Sequence, residues 1–178
     1  MIPYIQLFQL SPSKISFEVN PEFSLMAARK PAQISQNYQI QANLTSSAVL
    51  SDYSKAVFGI IFQMTYTDNA PPNTPKCLYQ SVNFCYEALF AIEPSLAPED
   101  LTMAVFEAGV EMVVGIARGT LLQLTAGAPG GPFILSNMDV PAMFQQMGTE
   151  AEYKKTGIFE ALKKTMTEKR QALQTPKG

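Results

Sequence analysis

Apolar and polar residues alternate with period two through the first half of the chain and recur at helical spacing through the second. Ile15, Phe17 and Val19 alternate with Ser16 and Glu18, which predicts a first strand. Tyr38, Ile40, Ala42 and Leu44 alternate with Gln39, Gln41 and Asn43, a half-buried second strand. Phe58, Ile60, Phe62, Met64 and Tyr66 share one face of a third strand, with Gln63, Thr65 and Thr67 opposite. The stretch 68–75, DNAPPNTP, is dense in turn residues and ends that strand. A fourth strand puts Val82, Phe84, Tyr86, Ala88, Phe90 and Ile92 on one face and Ser81, Asn83, Cys85 and Glu87 on the other. The short connection predicts that strands three and four pair antiparallel. One sheet face is thus aromatic and aliphatic and the other mostly uncharged and polar, the pattern of an antiparallel sheet with one face on a core. Residues 21–35 show no clear period and read as a loop or an ill-formed strand.

The second half reads as helical. Ala97, Pro98, Glu99 and Asp100 form a helix start, with Pro and acids in the first turn. Phe106, Val110, Val113 or Val114, and Ala117 then recur at helical spacing, and Gly119 sits near the end. AGAPGGP at 126–132 is too rich in Gly and Pro to continue a helix. The apolar trio Phe133, Ile134 and Leu135 follows in a loop, where it either plugs the core or lines a groove. Asp139 is placed to cap a short helix through Phe144. Thr149 and Glu152 form a capping box that opens a last helix, with Ile158, Phe159, Leu162 and Met166 on one face and Glu160 and Lys164 paired on another. The expected organisation is a domain over 1–148 followed by an amphipathic helix and tail over 149–178.

Composition narrows the function classes. Of 178 residues, 47% are apolar and only 16% charged, which favours apolar surface covered in an oligomer or kept for a partner. A net charge of −2 provides no broad basic field for nucleic acid. The chain has no His, so the commonest general base and imidazole metal ligand are missing. Cys77 and Cys85 read as lying on one strand, about 27 Å apart, too far for a disulfide. They are expected to be reduced cytosolic thiols, and two Cys without His make a poor zinc site. The N-terminal MIPYIQLFQL lacks a basic n-region and its apolar run is interrupted, so it does not read as a signal peptide. The stretch 101–124 carries Glu107, Glu111 and Arg118 and reads as a buried helix rather than a membrane span.

Candidate chemistry is sparse. AGAPGGP lacks the Lys-Ser/Thr of a phosphate loop. Glu107 and Glu111 lie one helical turn apart with no further ligand near in sequence, which favours a solvated or interface-edge pair over a metal or acid–base site. No Ser has a recognisable base. No enzyme, cofactor or metal is expected.

Several strings, in shared order on matching elements, resemble the SecB family of export chaperones. Ile15-Ser16-Phe17-Glu18 matches that family's first strand, and Phe90-Ala91-Ile92 the end of its fourth. Arg118-Gly119-Thr120 followed by Gln123-Leu124 matches the end of its long helix and is the most specific string. Ala128-Pro129 and Val140-Pro141-Ala142-Met143-Phe144 fill the places of its apolar loop and short helix, with extra residues between. The resemblance runs from about residue 5 to residue 147.

It implies an α+β fold: a four-stranded antiparallel sheet, with a long helix and shorter helices on one face and an extra C-terminal helix. It implies a cytoplasmic bacterial homo-oligomer, a dimer of dimers, that holds unfolded polypeptides or preproteins in apolar grooves without nucleotide. By register, Ile40, Ala42 and Leu44 correspond to groove-lining positions of the family, while Phe84, Phe133, Ile134, Leu135 and Phe144 would supply other walls. Glu18 retains one acid of the face through which export members dock the SecA motor. Lys14 and Asn83 stand where further acids are expected, which leaves a SecA partnership open. A basic helix bearing Lys154, Lys155, Lys163, Lys164, Lys169 and Arg170 replaces the family's acidic tail. Three functions follow: a holdase with many clients, a chaperone dedicated to one partner such as an antitoxin, or an adaptor that keeps only the fold.

Overall fold

The computed structural model describes residues 5–27, 36–43, 56–71, 73–92, 100, 108–129, 131–135, 137–140, 142, 160–161, 164, 167–168 and 171, with 27, 36–43 and 56 as backbone alone. It is an α+β arrangement of antiparallel strands β1 (Ile5–Val19), β2 (Gln36–Asn43), β3 (Ala56–Thr67) and β4 (Tyr79–Ile92), with helix α1 (Val110–Thr125) across β3 and β4. Among the described residues the sheet has four strands, in the order β1-β4-β3-β2. The chain therefore leaves β1 at one edge, crosses to β2 at the other, and returns through the central hairpin. A 3-10 turn, Leu25–Ala27, lies in the crossing segment that reads in the sequence as a loop or an ill-formed strand.

Strand β1 is much longer than the alternation at 15–19 predicts. It pairs with β4 from Ile5 against Ile92 to Val19 against Tyr79, with irregularities between Leu7 and Gln9, between Pro12 and Lys14, and between Glu18 and Val19. Phe8 and Ser13 are the extra residues at the first two. Each bulge shifts the period-two pattern by one, so the inward positions run Ile5, Leu7, Leu10, Ile15 and Phe17 and show no continuous alternation. Pro12 is tolerated because β1 is an edge strand whose outer side has no ladder partner among the described strands.

Strands β3 and β4 pair antiparallel as expected, in register from Ala56 against Ile92 to Thr67 against Ser81. Their inward residues Phe58, Ile60, Phe62, Met64 and Tyr66, and Val82, Phe84, Tyr86, Ala88, Phe90 and Ile92, are all buried. Cross-strand rings add to the burial: Phe58 stacks on Phe90 with centroids 5.2 Å apart and planes within 15°, and Phe62 lies 5.8 Å from Phe84. Asp68 holds the connecting loop closed. Its carboxylate oxygens accept from the backbone N–H of Ala70 at 3.0 Å and of Cys77 at 3.1 Å. Cys77 lies just before β4 rather than on it, buried, whereas Cys85 is on the strand; neither is in a disulfide.

Helix α1 covers the inner face with Val110, Val113, Val114, Ala117 and Leu121. At Gly109, just before α1, an added Cβ would stand 2.9 Å from the Ile60 Cδ1. After α1 the chain turns through Gly131, whose φ of 95° lies in the left-handed region that favours glycine. Asp139 then caps a short helical turn as predicted, its Oδ1 accepting from the Ala142 N–H at 3.0 Å.

Candidate functional site

The apolar trio after α1 divides residue by residue. Phe133 and Leu135 are each 1% exposed and belong to the core, whereas Ile134 is 58% exposed. This in–out–in burial is that of an extended segment. Phe133 stands edge-on to Tyr66 at 4.8 Å and also faces Tyr79 at 6.3 Å. Half-buried Tyr79 packs on Phe17, 5.1 Å away, and loss of hydration pushes its phenol above the ordinary tyrosine value.

Two α1 side chains fix the segment's backbone. The Thr125 hydroxyl accepts from the Phe133 N–H at 2.8 Å while donating to the Leu121 carbonyl at 2.7 Å. The Arg118 Nε–H donates to the Leu135 carbonyl at 3.1 Å. The Arg118-Gly119-Thr120 string, the most specific part of the resemblance, thus contains a residue that positions the loop.

The surface of α1 turned away from the sheet carries a stripe that the sequence reading does not single out. Met112 and Ile116 are exposed, and Gly115 and Gly119 lie on the same side of the helix with nothing within 4 Å of an added Cβ. Leu122 and Leu124 continue the exposed apolar residues toward the C-terminal end. The signal was present: Met112, Ile116 and Gly119 recur at i, i+4 and i+7, opposite the buried Val110–Leu121 face. A second exposed apolar group lies where the chain leaves β1: Val19, Leu25 and Met26, the last 97% exposed.

No family model matches the chain, and no curated protein sequence does either. Among solved structures, the chain is similar to a SecB-like chaperone from Mycobacterium tuberculosis, solved in complex with a ChAD peptide from the HigA1 antitoxin. The identity is 17% over 76% of this chain and 91% of that one, with a TM-score of 0.44. It is also similar to a Streptococcus agalactiae protein of unknown function, at 12% identity over 75% of this chain and 97% of that one, with a TM-score of 0.46.

The other sequence-predicted groove residues among those described lie on β2 and β4. Ile40 and Ala42 hold register positions opposite Phe62 and Ile60. Phe84 is buried in the core, 1% exposed, beneath the chain's own helix layer. Leu44 and Phe144 lie outside the described residues, as does Glu107; its proposed neighbour Glu111 is exposed. An open depression of about 350 Å³ is lined by Glu22, Ser24, Asn73, Thr74, Pro75 and Lys76 and contains none of the predicted groove residues.

The outward sheet face is polar toward the β3–β4 hairpin. Glu18 accepts a hydrogen bond from the Ser81 hydroxyl at 2.9 Å, and Asn83 accepts from the Thr65 hydroxyl at 2.8 Å. Lys14 is exposed opposite Cys85. Toward the other end this face becomes apolar, with Val57 and Ala91 paired and buried. At the C-terminus, Glu160, Ala161, Lys164, Thr167, Glu168 and Gln171 are helical and exposed, and Lys164 pairs with Glu168 at 4.0 Å. Among the described residues, no helix is long and apolar enough to cross a membrane, and no three potential metal-ligating side chains cluster.

Proposed function

We propose that this chain is a non-enzymatic, ATP-independent holdase that binds unfolded polypeptides as a homo-oligomer in the bacterial cytoplasm. The observation that carries this reading is the exposed apolar surface of α1 and the loop after it: Met112, Ile116, Leu122, Leu124 and Ile134, with Gly115 and Gly119 leaving room for close approach. Surface of this kind serves association rather than chemistry. The SecB-like strings supply the second support. Ile15–Glu18 falls in β1, Phe90–Ile92 ends β4, and Arg118–Leu124 falls in α1, so their order follows that of the observed elements.

On this reading the charge-free stripe of α1 meets neighbouring subunits in a dimer of dimers, and clients lie along the β2 edge and the Ile134 segment. Unfolded chains are recognised by apolar burial without a sequence code. The test is suppression of client aggregation without nucleotide. Ile40→Asp and Leu44→Asp should weaken it with the oligomer intact; suppression equal to wild type in both variants would count against this groove.

A chaperone dedicated to one partner, such as an antitoxin, is the second reading. It is favoured by the outward sheet face, where Lys14 is exposed and the neutral Asn83 is bonded to Thr65. That face offers little negative charge for a motor of the SecA kind.

A further inference from the structure

The in–out–in burial of 133–135 is that of an extended segment, and α1 holds its backbone from one side. The Phe133 N–H and the Leu135 carbonyl, two residues apart, are both engaged by α1, through Thr125 and Arg118. In an extended backbone, residues i and i+2 direct their polar groups to one edge and residue i+1 directs its pair to the other. The Ile134 N–H and C=O therefore point away from α1. They make no hydrogen bond among the described residues, and the residue is 58% exposed. The two side chains of α1 thus hold one side of the segment, and among the described residues nothing bonds the Ile134 N–H or C=O on the other.

We propose that this edge is a backbone-pairing site for an extended client segment. The inference rests on the holdase reading and adds a binding mode to it. The partner's chemistry follows from the groups on offer: the N–H and C=O of one residue in an extended segment are complemented by the main chain of another extended polypeptide. Main-chain pairing is independent of client sequence, as apolar burial is, and adds the orientation that burial lacks. Arg118 and Thr125 are positioning residues on this account, because they hold the strand rather than touch the client. Buried Phe133 and Leu135 keep the edge from twisting away.

The test uses the full chain and reduced, carboxymethylated α-lactalbumin as a permanently unfolded probe. Co-elution of probe and chain is measured first and tests the holdase reading itself. Amide hydrogen exchange at Ile134 is then followed by NMR with and without the probe. Exchange should slow at least about tenfold in the complex, the equivalent of one retained backbone hydrogen bond. Ile134→Pro removes the N–H while keeping an extended φ, and should weaken capture about tenfold. Ile134→Val keeps the N–H and should capture as wild type. Capture with unchanged Ile134 exchange would overturn the pairing while leaving the holdase reading in place. Protection already present in the chain alone would assign the edge to a second copy and overturn it equally. Should Ile134→Pro fail to fold, exchange in the wild type decides alone. Absence of capture would sink the holdase reading and this inference with it.

Discussion

Phe133 meets Tyr66 edge-on, with ring centroids 4.8 Å apart and planes at 88°. This contact fastens the loop after α1 to the inner face of β3 and sets Ile134 on the surface. Phe133→Ala should cost about 3–5 kcal/mol, the range for a buried aromatic truncation. Phe133→Leu, which keeps most of the volume, should cost less than half of that. Denaturant midpoints of the two variants check the order; equal losses would mean that the ring contact adds nothing beyond volume.

Thr125 is buried and its hydroxyl serves two backbone groups at once. Thr125→Val keeps the shape and leaves the Phe133 N–H without an acceptor, at a cost of about 1–3 kcal/mol. Thr125→Ser keeps the oxygen and should stay near wild type. Thermal unfolding separates them, and a valine variant as stable as the serine variant would contradict the clamp.

The bulge at Ser13 gives β1 one spare residue. Its removal leaves Pro12 against Tyr86 and Lys14 against Cys85, so a Ser13 deletion should fold with little loss. Deleting Ser16 instead slides Ile15 opposite Asn83 and Lys14 opposite the buried Phe84. Loss of apolar burial and desolvation of the lysine should then cost roughly 2–4 kcal/mol. Equal stability of the two deletions, read from urea unfolding, would show that the register is not fixed as described.

Tyr79 predicts an alkaline weakness. Its phenol is an acid whose pKa is raised by burial, so the folded state favours the neutral form. Its contribution is fully present below the ordinary tyrosine pKa near about 10 and is lost as pH rises through the raised value. Stability should fall over that window in the wild type and fall less in Tyr79→Phe. Superimposable pH profiles would exclude Tyr79 as the cause.

Strands β3 and β4 were legible because nothing interrupts their alternation: from Phe58 to Tyr66 and from Val82 to Ile92 every second residue is buried. The first ten residues of β1 were not, because Phe8 and Ser13 each move the inward set by one position. The trio 133–135 allowed a core or a groove role from composition alone. The Thr125 and Arg118 bonds and the Phe133–Tyr66 contact, none of them legible in the sequence, go with Phe133 and Leu135 turned inward. Likewise Phe84 carries the aromatic character of a binding wall, yet α1 and the Phe133 segment complete a core around it. The outward stripe of α1 was readable in principle, but Val110, Val113, Val114 and Ala117 dominate the helical pattern and hide Met112 and Ile116.

The most direct measurement is size-exclusion chromatography with light scattering, with and without an unfolded client and its folded form. The holdase account predicts a tetramer that co-elutes with the unfolded client and ignores the folded one. A monomer, or a tetramer that binds neither form, would contradict it.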